Sequence, residues 1–116
     1  MGGRSRAPPG APAVEVTLAV HPEAALDIAA AASWYAAQRP ETEEHFLAEL
    51  DRRVVQPTAF PASGPPVRGI APRFDARAFG LRRFPFSLVT AMVNGQRLII
   101  AVAHARRAPG SSRERL

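Results

Sequence analysis

The dipeptide Asn94-Gly95 constrains this chain more than any other feature, because it stands between two apolar runs, Ser87–Val93 and Leu98–Ala103. Both central positions of a type I′ turn need a positive φ, which Asn and Gly adopt at the least cost. The dipeptide therefore predicts a β-hairpin. Leu98–Ala103 is apolar at every position, which predicts a strand that is buried on both faces or covered by a partner on one of them.

A third strand is predicted before this hairpin, with a turn at Phe84-Pro85, since proline has no N–H to donate to a ladder. Arg82-Arg83 precede that turn, and the last strand runs directly into His104-Ala105-Arg106-Arg107. Because Arg82 and Arg83 are adjacent in a predicted strand, we expect them to point to opposite faces. The three strands should therefore gather arginines at one end of the sheet.

The first half of the chain predicts one strand and two helices. Val14–Val20 alternates apolar and polar residues, which is typical of a half-buried strand. His21 is predicted to cap a helix that begins at Pro22, and Arg39-Pro40 should separate this helix from a second one. Trp34 is predicted to be a partly buried flank. Core positions are expected at helical spacing, namely Ala24, Ile28, Ala31 and Tyr35, then Phe46, Leu47, Leu50 and Val54.

The second helix should end or kink near Val55–Gln56, because Pro57 follows. Gln56–Asp75 contains five prolines, which predicts a long loop with Phe60 plugged into the core. The order is β-α-α-β-β-β, an α+β fold in which a helical hairpin covers one face of a small, mainly antiparallel sheet. The other face is left for a partner. We assign residues 14–116 to this single domain.

Residues 1–13 are rich in Gly, Pro and Ala and are predicted to form a disordered extension. The sequence leaves open whether Met1 is the true start. No apolar run reaches the roughly 18 residues of a membrane span, and no secretory signal is visible, so we expect a cytoplasmic protein. There is no cysteine, no His/carboxylate set with metal spacing and no phosphate-binding glycine loop. We therefore expect no metal and no cofactor.

Charge is divided between the two halves of the chain. Residues 14–66 carry three arginines against eight acids, a net charge of −5, whereas residues 67–116 carry ten arginines against two acids, a net charge of +8. A basic half indicates an anionic partner, either nucleic acid, a phosphate-rich assembly or an acidic protein. A merely solvated basic face is the alternative.

The chain contains, in this order, the stretches VEVTLAVHPEAALDIAAAASWYAAQ, EEHFLAELDRRV, FPASGPPVRG, LRRFPFSLV and VAHARRAPG. Together they resemble the toxins of the RelE/ParE superfamily from bacterial type II toxin–antitoxin pairs. The resemblance spans Val14–Leu116 and implies a protein that arrests growth and is silenced by a cognate antitoxin. It also implies that the antitoxin covers the free sheet face and the basic groove, and that operator DNA is bound only through the antitoxin.

The superfamily has two activities. RelE-like members cleave messenger RNA on the ribosome, and ParE-like members poison DNA gyrase. The resemblance implies that nucleases carry basic side chains about where Ala78 and Gly80 stand, an arginine near Ser87 and a tyrosine near Ser111 or Ser112. Because these are absent here and FPASGPPVRG, LRRFPFSLV and HARRAPG fit the ParE-like branch, we favour a gyrase poison. Its predicted target-binding residues are Arg82, Arg83, Arg106 and Arg107.

The sequence leaves two alternatives. A ribosome-dependent mRNA endonuclease would use Arg106 and Arg83, with His104 supplying acid/base chemistry unless it is only a hydrogen-bonded residue at a strand end. A non-toxic relic would bind the antitoxin without arresting growth. Pro57 motivates the relic, and so does Ser111-Ser112, because close ParE-like relatives carry two aromatic residues at those positions. The target, the antitoxin's identity and the oligomeric state stay open.

Overall fold

The computed structural model describes residues 18–107 and 109–116, and confirms the predicted α+β order. The predicted extension 1–13 and the first residues of the predicted strand, 14–17, lie outside the described residues. The elements are β1 (Ala19–Val20), α1 (Pro22–Gln38), α2 (Pro40–Arg53), α3 (Val55–Ala59), β2 (Arg77–Gly80), β3 (Phe86–Val93) and β4 (Gln96–His104), with 3₁₀ helices at Pro72–Phe74 and Pro109–Arg115.

The four strands form one sheet in the order β1-β4-β3-β2, in which β1 runs parallel to β4 and the other pairs are antiparallel. Asn94 and Gly95 have φ values of 53° and 77°, so the predicted hairpin turn is confirmed. One residue of β4, Ile100, has no partner across the ladder, because Val89 pairs with Ala101 and Thr90 with Ile99. This bulge places Ile100 and Ala101 in the same hydrophobic cluster.

The helices α1 and α2 cover one face of the sheet, as predicted. His21 caps α1 through its Nδ1 atom, which accepts the N–H of Glu23 at 3.0 Å. The predicted core positions of the two helices are buried or partly buried at seven of eight sites. The exception is Leu47, which is 38% exposed, while Glu49 takes a buried position instead.

Three other apolar residues are more exposed than expected. Trp34 is 61% exposed and stands edge-to-face with Tyr35 at a centroid distance of 5.2 Å, so it is less buried than the predicted flank. Phe60 is 67% exposed and does not plug into the core, because α3 ends at Ala59 and carries it outward. Val20 is 46% exposed at the end of β1, where the chain leaves the sheet to begin α1.

The second face of the sheet is not left for a partner, and that prediction is wrong. Val67, Ile70 and Ala76 pack against this face together with side chains of β3 and β4, and Phe74 and Leu116 flank the cluster. The chain is held there by backbone pairing, with the Val67 N–H bonded to the Ala76 carbonyl at 3.0 Å. The predicted long loop is therefore a covering layer of the sheet.

This covering layer is fastened at two points. Arg77 donates to the carbonyl oxygens of Ala62 and Gly64 at 3.2 and 3.0 Å and pairs with Asp75. A Cβ added at Gly64 would lie 2.7 Å from the carbonyl oxygen of Ala78, so glycine alone permits this close approach.

The break predicted near Val55–Gln56 is found at Val54, where α2 has ended at Arg53 and the chain turns into α3. Pro57 lies in the first turn of α3, where its missing N–H is no loss, and its side chain is buried. Over residues 18–107 and 109–116, no helix is long and apolar enough to cross a membrane.

Candidate functional site

The turn between β2 and β3 and the turn after β4 lie side by side at one end of the sheet. The N–H of Ala105 donates to the carbonyl oxygen of Pro85 at 2.7 Å, and Phe86 is the cross-strand partner of His104. This brings together the four arginines that the sequence selects, and we call them the cationic end. All are exposed, and none forms an ion pair with a described residue: Arg82, Arg83, Arg106 and Arg107.

Arg82 and Arg83 do not point to opposite faces of a strand, because β2 already ends at Gly80. The N–H of Leu81 bonds to the carbonyl oxygen of Phe86 at 2.9 Å and closes the turn that contains them. Arg83 has a φ of 68°, a left-handed conformation that side chains other than Gly, Asn and Asp rarely adopt. The backbone of this turn is therefore held by its surroundings.

Glu49 is one of these surroundings, and sequence reasoning missed it. Glu49 is only 4% exposed. Its Oε2 accepts the N–H of Arg82 at 2.7 Å, and its Oε1 pairs with Arg52. These contacts hold the pKa of Glu49 below its ordinary value of 4.5, chiefly through the hydrogen bond from the Arg82 backbone. A sequence signal existed, because Glu49 follows Phe46 by three residues and so shares its helix face.

Glu49 lies at the base of a pocket between α2 and the β2–β3 turn, which we call the α2 pocket. Its volume is about 410 Å³. The side chain of Arg52 is 70% exposed although it pairs with Glu49. The pocket is lined by His45, Ala48, Glu49, Arg52, Arg82, Arg83 and Phe84.

We expect stability to fall in acid through the same carboxylate. Because the pKa of Glu49 is lower in the folded than in the unfolded chain, its contribution is complete above pH 4.5 and is lost as the pH falls below that value. Burial acts to raise the pKa of Asp75, but hydrogen bonds and charges of Arg77 and Arg97 lower it overall, so Asp75 acts in the same direction. Urea unfolding at several pH values should show a shallower acid decline in Glu49→Gln than in the wild type. Equal slopes would contradict this prediction.

His104 lies half-buried at the end of β4. Its Nδ1 accepts the N–H of Arg106 at 3.0 Å, and its ring meets the edge of Phe86 with centroids 5.1 Å apart. This contact assigns the proton of the neutral ring to Nε2. The predicted hydrogen-bonded histidine at a strand end is thus observed, and neither nitrogen of the neutral ring is a free proton acceptor.

A second, larger depression runs along α1, and we call it the α1 cleft. It has a volume of about 490 Å³ and an aromatic wall that includes Trp34, Tyr35 and Phe86, with His104 and Arg107 at one end. β1 pairs only with Leu98 and Ile99. Beyond that point, no strand of the described chain covers the outer edge of β4.

Two charged side chains occupy part of this open edge. The N–H of Val102 donates to Asp27 at 2.9 Å, and the carbonyl oxygen of Ile100 accepts from Arg115 at 2.8 Å. Arg115 and Asp27 are themselves paired at 2.7 Å, and this hydrogen bond raises the pKa of Arg115 above its ordinary value. Ser112, three residues before Arg115, is buried, so this part of the tail packs on the domain. The side chain of Ser111 lies outside the described part.

The positions at which the superfamily resemblance places nuclease side chains meet in the sheet. Gly80 and Ser87 are cross-strand partners, and Ala78 pairs with Val89. None of these residues carries a charge or a titratable group. Among residues 18–107 and 109–116, no three His, Asp or Glu side chains are grouped to hold a metal ion.

Comparison with known proteins adds one match. A family model described as the ParE toxin of type II toxin-antitoxin system, parDE, matches residues 18–109. These residues include all three α-helices, the whole sheet and the cationic end. No curated protein and no solved structure matches the chain.

Proposed function

Since this chain belongs to the ParE toxin family of type II toxin–antitoxin systems, we propose that it arrests growth by poisoning DNA gyrase through its cationic end. The observation that carries the proposal is the grouping of four exposed arginines by two adjacent turns. Arginine keeps its charge at any physiological pH and offers a planar set of donors to phosphate or carboxylate groups. Such a surface suits contact with DNA gyrase, a target enzyme that holds DNA.

The mRNA endonuclease of the RelE-like branch has less support. Cleavage by attack of a 2′-OH needs a general base near the reacting group. His104, the histidine at the cationic end, already accepts a backbone hydrogen bond at Nδ1. The uncharged Ala78, Gly80 and Ser87 supply no replacement. Arg83 and Arg106 remain as cations that could stabilise a phosphorane, so this activity is an outcome of the test below.

Membership of the family implies a cognate antitoxin as a partner. We propose that the antitoxin lies in the α1 cleft and along the open edge of β4. The second sheet face, which the sequence reserves for this partner, is already covered by the chain itself. The cleft instead offers an exposed Trp34 and a strand edge whose described groups at Ile100 and Val102 bond to side chains and not to another strand. These features suit a helix or an extended segment with apolar side chains.

The proposal is tested by inducible expression of the full chain in bacteria without antitoxin. We expect growth arrest, inhibition of gyrase supercoiling by the purified protein, and no new RNA 5′ ends. Arg82→Ala/Arg83→Ala combined with Arg106→Ala/Arg107→Ala should abolish the arrest, because removal of one arginine from a charged interface costs about 1–3 kcal/mol of binding free energy. Arg68→Ala/Arg73→Ala, which removes exposed arginines elsewhere, is the control and should still arrest growth.

Each other result points to a different activity. Arrest with new RNA 5′ ends that disappear in Arg106→Ala would replace gyrase poisoning by mRNA cleavage. Arrest with intact RNA and unaffected supercoiling would rule out both targets. Absence of arrest in a correctly folded protein would indicate the non-toxic relic.

A further inference from the structure

The α2 pocket combines three arginines with one buried carboxylate. Arg52, Arg82 and Arg83 line it, and the Glu49 carboxylate lies at its base with both oxygen atoms engaged. Three guanidinium charges against one carboxylate leave a formal charge of +2. An anion that enters the pocket therefore meets a net positive field, while the two carboxylate oxygens of Glu49 already accept hydrogen bonds from Arg52 and from the Arg82 backbone.

Glu49 also fixes the shape of the pocket. It joins α2 to the N–H of Arg82, 33 residues further along the chain, at 2.7 Å. Two residues after Arg82, the ring of Phe84 packs against Phe46 and Tyr35, with ring centroids 5.4 Å and 5.2 Å apart. Arg83 is left between these two anchors with its φ of 68°. A strained backbone of this kind persists only where neighbouring contacts fix it, and such residues concentrate at functional sites.

We propose that the α2 pocket binds a phosphate group of nucleic acid, and that Glu49 is the positioning residue that orients Arg82 and Arg83 toward it. The proposal deepens the function proposed above and rests on it for its biological setting. Nucleic acid is the partner that the charge favours, because residues 67–116 carry a net charge of +8 and guanidinium groups match phosphate oxygens in pairs.

The test measures binding of the full chain, made by cell-free synthesis, to a fluorescein-labelled DNA duplex. Fluorescence anisotropy at several salt concentrations gives both affinity and the dependence on salt. Arg82→Ala/Arg83→Ala should weaken binding about tenfold or more and lower the salt slope by about two. Arg68→Ala/Arg73→Ala removes the same charge outside the pocket and should weaken binding far less. Equal losses in the two pairs, or no binding by the wild type, would overturn the proposal.

For Glu49→Leu, the positioning role predicts weaker DNA binding, whereas simple charge attraction predicts tighter binding. This variant makes the protein more positive by one charge, so uniform attraction would tighten binding. Loss of the positioning hydrogen bond should instead weaken binding on the order of tenfold. Glu49→Gln keeps an oxygen that accepts the Arg82 N–H and should bind much more like the wild type. Tighter binding by Glu49→Leu, with the fold verified by circular dichroism, would refute the positioning role.

Arg52→Ala serves where Glu49→Leu does not fold, because Arg52 is largely exposed. It should weaken binding and lower the salt slope by about one; an unchanged slope would count against the pocket. The binding measurement needs no gyrase. A pocket that binds DNA in a protein without effect on supercoiling leaves the inference intact while the proposed function fails. If the wild type poisons gyrase but Arg82→Ala/Arg83→Ala binds DNA as well as the wild type does, the proposed function holds and the inference about the pocket fails.

Discussion

Phe46→Ala should lower the free energy of unfolding by about 3–5 kcal/mol. The side chain is 0% exposed, and three aromatic rings surround it, with centroids at 5.2 Å for Tyr35, 5.4 Å for Phe84 and 5.6 Å for Phe86. Truncation removes this packing and leaves a cavity among the three rings. Urea unfolding followed by far-UV circular dichroism measures the loss of stability.

Leu47→Ala is the matched control on the same helix. Leu47 is 38% exposed, so its truncation should cost less than about 1 kcal/mol. Phe46→Leu keeps an apolar side chain at the buried site and should fall between the two. A loss for Leu47→Ala as large as that for Phe46→Ala would mean that α2 presents a different face to the sheet.

The same helix shows how far the sequence can predict the core. Helical spacing identifies Phe46, Leu50 and Val54, because apolar residues at three and four positions apart share a face. The prediction that Leu47 is buried is wrong, and the buried Glu49 is not among the predicted core positions. Glu49 is buried because a turn 33 residues away supplies a hydrogen bond to its carboxylate, and that partner cannot be read from the helix itself.

The covering of the second sheet face is unpredictable for a related reason. Five prolines indicate only that Gln56–Asp75 breaks regular structure, and they do not say where the segment lies. Its position depends on Asp75, which accepts hydrogen bonds from Arg77 and Arg97, and on the bond from Arg77 to the carbonyl oxygen of Gly64. In contrast, the Asn94-Gly95 hairpin depends on backbone conformations of two adjacent residues, so its sequence signal is sufficient.

The cationic end lies between these cases. The sequence predicts that its four arginines lie together, because antiparallel strands joined by tight turns place the start of one strand beside the end of the next. The sheet confirms that the two turns are neighbours. Their assignment to opposite strand faces fails because β2 stops at Gly80, two residues before the first arginine. The role of Glu49 in holding that turn is not visible in the sequence, since it requires α2 to be docked on the sheet.

Asp27→Ala should produce the second large loss of stability, again about 3–5 kcal/mol, because it breaks a largely buried ion pair from one side. The side chains of Asp27 and Arg115 are 15% and 16% exposed. The variant leaves Arg115 with the Ile100 carbonyl oxygen and with the more distant carboxylate of Glu23, at 3.6 Å, and it leaves the N–H of Val102 without its acceptor. Thermal unfolding and hydrogen exchange at Val102 measure both effects.

A double-mutant cycle separates the pair from its neighbours. Asp27→Asn keeps an oxygen for the Val102 N–H but loses the charge, so it should cost less than Asp27→Ala. Asp27→Ala/Arg115→Ala removes both charges and should cost clearly less than the sum of the single variants, since no unpaired charge remains buried. Additive losses would show that the two side chains act separately.

The pair closes the edge of β4 beside the α1 cleft, so an antitoxin that adds a strand at this edge must displace it. Tighter antitoxin binding by the double variant, despite its lower stability, would show that displacement directly.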